Sequence, residues 1–142
     1  MLEKELHFLL LRAFHHSNRR VQQIAAEAGL CPGQPKILEY LLEHDGCIAR
    51  DICSGCVLDK STMTSLLARM EKQGLVRKEE SGDDRRAVHI YMTEKGRTLA
   101  ERIKLGCLHL DETALQGISQ EERELIFRLL KQMIENLEGG GA

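Results

Sequence analysis

Apolar residues recur at three- and four-residue steps along most of this 142-residue chain, with short breaks between the runs. This spacing is typical of helices that turn one apolar face toward a core. Shorter runs alternate between apolar and polar residues, as strands do. The pattern predicts helices over residues 1–28, 36–44, 50–57, 59–73, 94–114 and 119–137, and strands over 47–49, 75–80 and 87–92. The predicted fold class is therefore mainly α with a small β-hairpin (α+β).

The helix that begins at Asp59 has two different faces. Met63, Leu66, Leu67 and Met70 repeat at the spacing of a buried stripe, and the carboxylate of Asp59 suits a helix cap. Off the stripe lie short hydroxyls and cations, the groups that bond to phosphates and base edges. The candidate nucleic-acid contacts on this helix are Lys60, Ser61, Thr62, Thr64, Ser65 and Arg69.

The turn between the two hairpin strands, residues 81–86, ends in Arg85 and Arg86. Arginine at a hairpin tip suits the minor groove of DNA, whose narrow width concentrates negative potential. A charged hairpin is more often only a solvated surface, and an amphipathic helix alone is more often only a packing element. The order of these motifs, more than any one of them, therefore indicates nucleic-acid binding.

The ordered set of motifs resembles the winged-helix core of the multiple antibiotic resistance regulator (MarR) family. The residues that carry the resemblance are Leu58, the run 59–64, Leu67, the runs 69–71 and 74–76, Asp84, Arg86 and the run 92–96. The resemblance implies that the helix after Leu58 lies in the major groove of double-stranded DNA, while Asp84 orients Arg86 in the minor groove. Val57 departs from the family pattern, in which glycine is usual at this turn.

The first helix and the last two helices have more apolar surface than one small winged-helix unit can cover. The simplest way to bury this surface is against a second copy of the chain, so we expect a homodimer. The resemblance implies the same arrangement, with terminal helices that interlock two chains. We therefore expect a single regulator domain, 1–142. It would comprise a winged helix-turn-helix core at 30–96, dimerisation helices at 1–28 and 97–138, and a flexible tail at 139–142.

Charge alone does not indicate a DNA binder, because the formal net charge is −2. Residues 47–96 contain nine Lys or Arg and eight Asp or Glu. A general electrostatic binder of nucleic acid usually has a strongly basic stripe instead. The charge pattern therefore favours a specific binder whose few cations are placed at defined positions.

Five cysteines in a chain without a secretion signal argue against a disulfide framework. Cys53 and Cys56 form a C-x-x-C pair, which occurs in redox and zinc sites. No second pair follows at zinc-site spacing, so we favour buried core thiols over a redox switch, and a redox switch over a metal. Adjacent His15 and His16 point about 100° apart on a helix, so no metal site is expected there. The candidate redox residues are Cys31, Cys53, Cys56 and Cys107.

The signal that the chain would sense is less well defined. Many members of the family bind small aromatic anions in a cleft between the dimer helices and the winged helix. The resemblance implies a cleft lined by the first helix, residues 31–36 and residues 94–107. His7 stands where the peroxide-sensing branch of the family has its reactive cysteine, which excludes peroxide sensing at that residue.

The chain has no phosphate-loop, dinucleotide-binding, hydrolase or metalloprotease motif, so we expect neither catalysis nor a cofactor. It has no apolar run long enough to cross a bilayer and no signal peptide, so we expect a cytoplasmic protein. The function indicated is that of a homodimeric transcriptional repressor on a pseudo-palindromic operator, released by a small ligand or by thiol oxidation. A helical dimerisation or adaptor module without DNA binding is the alternative.

Overall fold

The computed structural model describes residues 1–80 and 87–139 of the chain. A 3-10 turn, Leu2–Lys4, precedes the helices and strands. In chain order these are α1 Leu6–Glu27, α2 Gln34–His44, α3 Ala49–Cys56, α4 Lys60–Lys72, β1 Val76–Glu80, β2 Val88–Met92, α5 Glu94–Ala114 and α6 Gln120–Gly139. The two strands pair as an antiparallel hairpin. This architecture confirms the predicted fold class, which is mainly α with a small β-hairpin.

The first two helices differ slightly from their predicted bounds. Glu5 is extended, with φ −101° and ψ 127°, so residues 1–28 form the 3-10 turn and α1 instead of one helix. Gly33 adopts a left-handed conformation (φ 91°) as the N-cap of α2. The left-handed conformation lets the chain turn sharply after Leu30, so α2 begins two residues earlier than the predicted residue 36.

Two further predictions need correction. The strand expected over residues 47–49 is a single bridge between Ile48 and His89, because α3 already begins at Ala49. Helix α6 continues through Gly139, so the first residue of the tail predicted at 139–142 is helical. The remainder of that tail lies outside the described residues.

The chain divides into two compact units, Met1–Leu110 and Asp111–Ala142. The core of the first unit is centred on α2, whose Ile37, Leu38 and Leu41 are fully buried. Burying a side chain of this size contributes about 1.5–3 kcal/mol. The buried side chains that complete the core come from every other element of this unit except the 3-10 turn: Ala25, Ile52, Cys56, Met63, Leu66, Leu67, Met70, Val76, Ile90, Met92, Ala100 and Ile103, joined by Leu30 and Leu75 from the connections.

The second unit has its own polar connections. The Arg123 guanidinium donates to the Leu115 carbonyl at 3.0 Å and to the Glu112 carboxylate at 3.0 and 3.1 Å. Glu122 Oε1 accepts from the Ser119 backbone N–H at 3.0 Å, and Ser119 Oγ accepts from the Glu122 N–H at 3.2 Å. This reciprocal pair is the capping box expected at the start of the last helix. The bond from Ser119 lowers the pKa of Glu122.

The base of the hairpin is joined to α5 through a close backbone contact. Thr93 Oγ1 donates to the Gly74 carbonyl at 2.6 Å and accepts from the Gly96 N–H at 3.0 Å. A Cβ at Gly96 would lie 2.0 Å from the Leu75 carbonyl oxygen. Only glycine therefore allows α5 to pack this closely against the entry to β1. Among the described helices, none combines the length and the apolar character needed to cross a membrane.

We expect Gly96→Ala to lower the free energy of unfolding by about 1–3 kcal/mol, the usual cost of overpacking. Alanine is otherwise favoured over glycine inside a helix by about 0.5–1 kcal/mol, so any loss must come from the contact with Leu75. Urea unfolding followed by circular dichroism measures the change. Gly139→Ala is the matched control, because no atom lies within 4 Å of its Cβ position. A Gly96→Ala protein as stable as the wild type would show that the backbone contact has no consequence.

Candidate nucleic-acid interface

Helix α4 has one buried and one exposed face, as its sequence predicts. The apolar stripe of Met63, Leu66, Leu67 and Met70 is buried. Gly33 at the start of α2 packs directly onto this stripe, since a Cβ there would lie 2.8 Å from Leu66 Cδ1. The opposite face is therefore directed outward. All six candidate contacts on α4 are exposed, namely Lys60, Ser61, Thr62, Thr64, Ser65 and Arg69.

The turn from α3 to α4 has an unusual backbone at Val57. This residue has φ 55° and ψ 54°, and its side chain is 87% exposed. The left-handed conformation costs a residue with a Cβ about 1–2 kcal/mol. The Leu58 N–H donates to the Cys53 carbonyl at 3.0 Å and closes the turn. The helix-turn-helix is thus formed with valine in the conformation that glycine adopts most easily. This is the position at which the sequence departs from the pattern of the family that it resembles.

Asp59 organises the first turn of α4. Its Oδ1 accepts from the Thr62 backbone N–H at 2.7 Å and from Ser61 Oγ at 3.0 Å. Its Oδ2 accepts from Thr62 Oγ1 at 2.9 Å. Because these bonds favour the ionised carboxylate, the one from the Thr62 backbone first, the pKa of Asp59 is lowered. The predicted N-cap is therefore confirmed, and it also fixes two of the candidate contact side chains.

This network changes what the hydroxyl groups can do. Ser61 and Thr62 donate their hydroxyl protons to Asp59, and Thr64 donates to the Lys60 carbonyl at 2.8 Å. A phosphate oxygen needs a donor, whereas the amino groups on adenine and cytosine edges need an acceptor. In these positions, the three hydroxyl oxygens can therefore accept hydrogen bonds from base amino groups. The residue types alone do not show whether a hydroxyl acts as a donor to phosphate or as an acceptor from a base.

Three of the six side chains have no partner among the described residues. Lys60, Ser65 and Arg69 make neither a hydrogen bond nor an ion pair there. Two of the three are cations, and all three are exposed. They are therefore the members of the set that can bond to phosphates or base edges without giving up an existing contact.

The cations of β1 are already engaged, in contrast to those of α4. Arg77 stacks over the Tyr91 ring, with its guanidinium carbon 4.6 Å from the ring centroid, and it pairs with Glu79. Lys78 Nζ lies 3.9 Å from Glu71 Oε1. These residues stiffen the paired part of the hairpin. The predicted contacts at its tip, Asp84, Arg85 and Arg86, lie outside the described residues.

Asp45 positions the hairpin, a role that the sequence did not indicate. Its Oδ1 accepts from the Met92 backbone N–H at 2.7 Å, and its Oδ2 lies 3.4 Å from the Arg97 guanidinium. Next to it, the Gly46 N–H donates to the Ile90 carbonyl at 2.8 Å. In the sequence, Asp45 and Gly46 indicate only the end of a helix. Their hydrogen bonds connect residues more than 40 positions apart in the sequence, and local sequence patterns do not predict such contacts.

The candidate redox residues differ in their surroundings. Cys56 is buried, and its Sγ donates to the Lys36 carbonyl at 3.4 Å. Burial raises the pKa of Cys56 to about 11, so its reactive thiolate is scarce at neutral pH. Cys31, Cys53 and Cys107 are half-buried and pack against the core. None of the five cysteines, all of them described residues, forms a disulfide. The described residues contain no cluster of three or more His, Cys, Asp or Glu suited to a metal ion.

Described residues of the first unit line two cavities that are large enough for a small molecule. The larger, about 650 Å³, is open to solvent and is lined by residues of α3, the start of α4 and the start of β2. The smaller, about 530 Å³, is lined by Ala28 at the end of α1 and by residues of the first turns of α5, including Leu99. The smaller one falls among the segments expected to line an effector cleft. The larger cavity was not predicted from the sequence.

We expect Asp59→Ala to lower the melting temperature more than Asp59→Asn, because asparagine keeps an acceptor for the Thr62 N–H. The folded-state pKa of Asp59 is lowered, so its stabilisation is fully present above the unfolded pKa, near 3.8. It is lost as the pH falls through the lower folded-state pKa. Thermal unfolding of both variants and the wild type between pH 2 and 7 tests this. A difference between wild type and Asp59→Ala that stays constant over that range would contradict the assignment.

Comparison with known proteins agrees with this geometry. A model of the MarR family matches residues 28–87. The chain is 32% identical over 136 residues to the HTH-type transcriptional regulator TtmR of Methylorubrum extorquens, covering 96% of this chain and 69% of that protein. It is 31% identical over 129 residues to the transcriptional regulator HosA of Escherichia coli, covering 87% of this chain and 95% of that protein.

The crystal structure of a MarR family transcriptional regulator from Silicibacter pomeroyi matches with a TM-score of 0.86 at 25% identity. The match covers 96% of this chain and 92% of that chain. Each of these relatives is named as a transcriptional regulator. With its capped, outward-facing α4 and its hairpin, the chain belongs to the MarR family of winged-helix, DNA-binding transcriptional regulators.

Proposed function

We propose that two copies of this chain bind a pseudo-palindromic operator as a repressor, each placing α4 in one major groove. The observation that supports this proposal is the outward face of α4, where Lys60, Ser65 and Arg69 are exposed and have no partner in the part of the chain that the structure describes. A helix with its opposite face fixed in the core presents these groups at constant positions. Constant positions are what reading base edges requires.

The contacts divide by chemistry. Lys60 and Arg69 supply cations for phosphates or guanine edges, and the hydroxyls of Ser61, Thr62 and Thr64 supply acceptors for base amino groups. Asp84, Arg85 and Arg86 at the hairpin tip are proposed for the adjacent minor groove. Because the net charge of the chain is −2, its affinity for DNA would depend on these few contacts and on two copies acting together.

The dimer is supported by apolar surface that a single copy leaves uncovered. Only Ala25 is buried along the whole of α1, and no residue of α6 is buried. Phe14 on α1 is 67% exposed, and Leu137 on α6 is 77% exposed. Burial of apolar surface contributes about 25 cal/mol per Å². A second copy that covers these helices would therefore gain a large free energy, and we propose that they form the dimer interface.

We further propose that a small ligand releases the operator, with thiol oxidation at Cys31, Cys53 or Cys107 as the second route. The presence of two ligand-sized cavities supports the ligand route. The raised pKa of Cys56 makes that thiol a poor candidate for oxidation. The proposed place of action is the cytoplasm, where the operator would be.

We expect selection from random duplexes to return a pseudo-palindrome with half-sites about one helical turn apart. The protein should bind this site about a thousandfold or more tighter than a scrambled duplex at physiological salt. Fluorescence anisotropy titrations at several salt concentrations measure both affinities and the number of phosphate contacts. Arg69→Ala and Arg86→Ala should each weaken binding about five- to a hundredfold, the range for losing one contact of this kind.

The control for these variants is Arg128→Ala, which removes an exposed cation from α6. It should leave the affinity unchanged. Equal affinity for selected and scrambled duplexes would contradict the regulator function and favour an adaptor module. If Arg69→Ala alone weakened binding, the proposed contact of the hairpin tip would be wrong while that of α4 would stand.

We expect Ile134→Glu on α6 to weaken the dimer about a hundredfold or more, because a charge would be buried in an apolar interface. Ile134 is 51% exposed in the single chain, so the variant should still fold. Sedimentation equilibrium measures the dissociation constant, and circular dichroism checks helicity. Gln132→Glu, at an exposed position on the other side of the same helix, adds the same single negative charge and is the control. Unchanged association of Ile134→Glu would place the interface elsewhere.

A further inference from the structure

Among the described residues, Gln34 is the one polar residue that is buried, with 0% of its surface exposed. It is the first residue of α2, and its side-chain amide bonds in two directions. Its Oε1 accepts from the Cys31 backbone N–H at 3.1 Å, and its Nε2 donates to Gln73 Oε1 at 2.9 Å. Burial of an amide is costly unless the amide is hydrogen-bonded. These two bonds therefore hold the Gln34 side chain in one position.

Gln73, the partner of Gln34, is the residue that ends α4. Its backbone N–H donates to the Arg69 carbonyl at 2.9 Å, and its own carbonyl accepts from Lys95 Nζ of α5 at 3.0 Å. The side chains of Gln34 and Gln73, the amide pair, thus join the start of α2 to the end of α4. Arg69, a candidate DNA contact, belongs to the last turn of that helix.

The buried stripe of α4 prevents large rotations of this helix but permits small ones. Burial of apolar surface has no preferred direction, and methionine side chains such as Met63 and Met70 adapt to small displacements. A hydrogen bond does have a preferred direction, and it weakens steeply as its geometry departs from the ideal. A binding site requires its side chains to be held within about 0.5 Å of their productive positions. The amide pair supplies a directional constraint that the stripe lacks.

We propose that Gln34 is a positioning residue for DNA recognition, which fixes the place of α4 through its bond to Gln73. The side chains that it positions are Lys60, Ser65 and Arg69. The inference rests on the proposed function, because these are the groups proposed to contact the operator. Loss of the amide pair should therefore weaken sequence-specific binding, which depends on the placement of base contacts. It should spare non-specific binding, which depends on charge.

The test removes the amide pair from each side. Gln34→Met replaces the buried amide by an apolar side chain of similar length. Gln73→Met removes its partner at a partly buried position that lies outside the core cluster. Fluorescence anisotropy of the full chain measures affinity for the selected operator and for a scrambled duplex. We expect each variant to bind the operator about three- to tenfold more weakly for each chain, the effect of losing one neutral hydrogen bond, and to bind the scrambled duplex as the wild type does.

The matched control is Gln116→Met, at an exposed position in the second unit. It should leave both affinities unchanged. Unchanged operator affinity in Gln73→Met would overturn the proposal. Equal weakening for the operator and the scrambled duplex would also overturn it, because a general loss of structure affects both.

The double variant distinguishes a coupled pair from two independent side chains. Because both substitutions remove the same bond, the protein with Gln34→Met and Gln73→Met should bind the operator as Gln34→Met alone does. Losses that multiply in the double variant would contradict the coupling. Circular dichroism checks the fold, and Gln73→Met decides the question by itself if Gln34→Met does not fold.

A measurement without DNA separates this inference from the function on which it rests. In the free protein, NMR relaxation dispersion of the α4 backbone amides detects motion between microseconds and milliseconds. We expect such motion in Gln73→Met but not in the wild type or in Gln116→Met. Identical dispersion in the wild type and Gln73→Met would overturn the positioning role. If no duplex is bound specifically, the regulator function fails, and this measurement still decides whether the amide pair fixes α4.

Discussion

Burial of the apolar stripe of α4 is the constraint on which the rest of the molecule depends. Met63, Leu66, Leu67 and Met70 are buried in the core, with Gly33 at the start of α2 close enough to contact Leu66. Four buried side chains of this size correspond to about 6–12 kcal/mol of transfer free energy. Rotating α4 by even a quarter turn would expose most of that surface. The direction in which its polar face points is therefore set by the core, before any DNA is present.

The parts of the fold that depend on residue spacing could be predicted from the sequence. The six helices, the hairpin, the cap at Asp59 and the box at Ser119 all arise from contacts within a few positions along the chain. The errors were at Glu5, Gln34, Ala49 and Gly139, where a helix begins or ends and where spacing is least informative.

The contacts that span long stretches of sequence could not be predicted. Asp45 bonds to Met92 and Arg97 because α2 ends beside β2, and no local pattern records that proximity. The exposure of the candidate contacts on α4 was predictable, because it follows from helical periodicity. Their hydrogen-bonding state was not, because it depends on the rotamers around Asp59. The larger cavity likewise requires α3, α4 and β2 to meet.

The rigidity of α4 restricts how a signal could release DNA. A ligand shifts an equilibrium only by its difference in affinity between two states. Exposing the stripe of α4 would cost about 6–12 kcal/mol, which would consume most or all of the binding free energy of a ligand of micromolar affinity, about 8 kcal/mol. A ligand that competes with DNA for the exposed groups of α4 requires no such rearrangement. A ligand present at 100 times its dissociation constant would weaken operator binding by about 2.7 kcal/mol per chain, and two chains would double that free energy. A modest ligand acting on the charges beside a fixed helix would therefore suffice where a ligand acting on the fold of that helix would not.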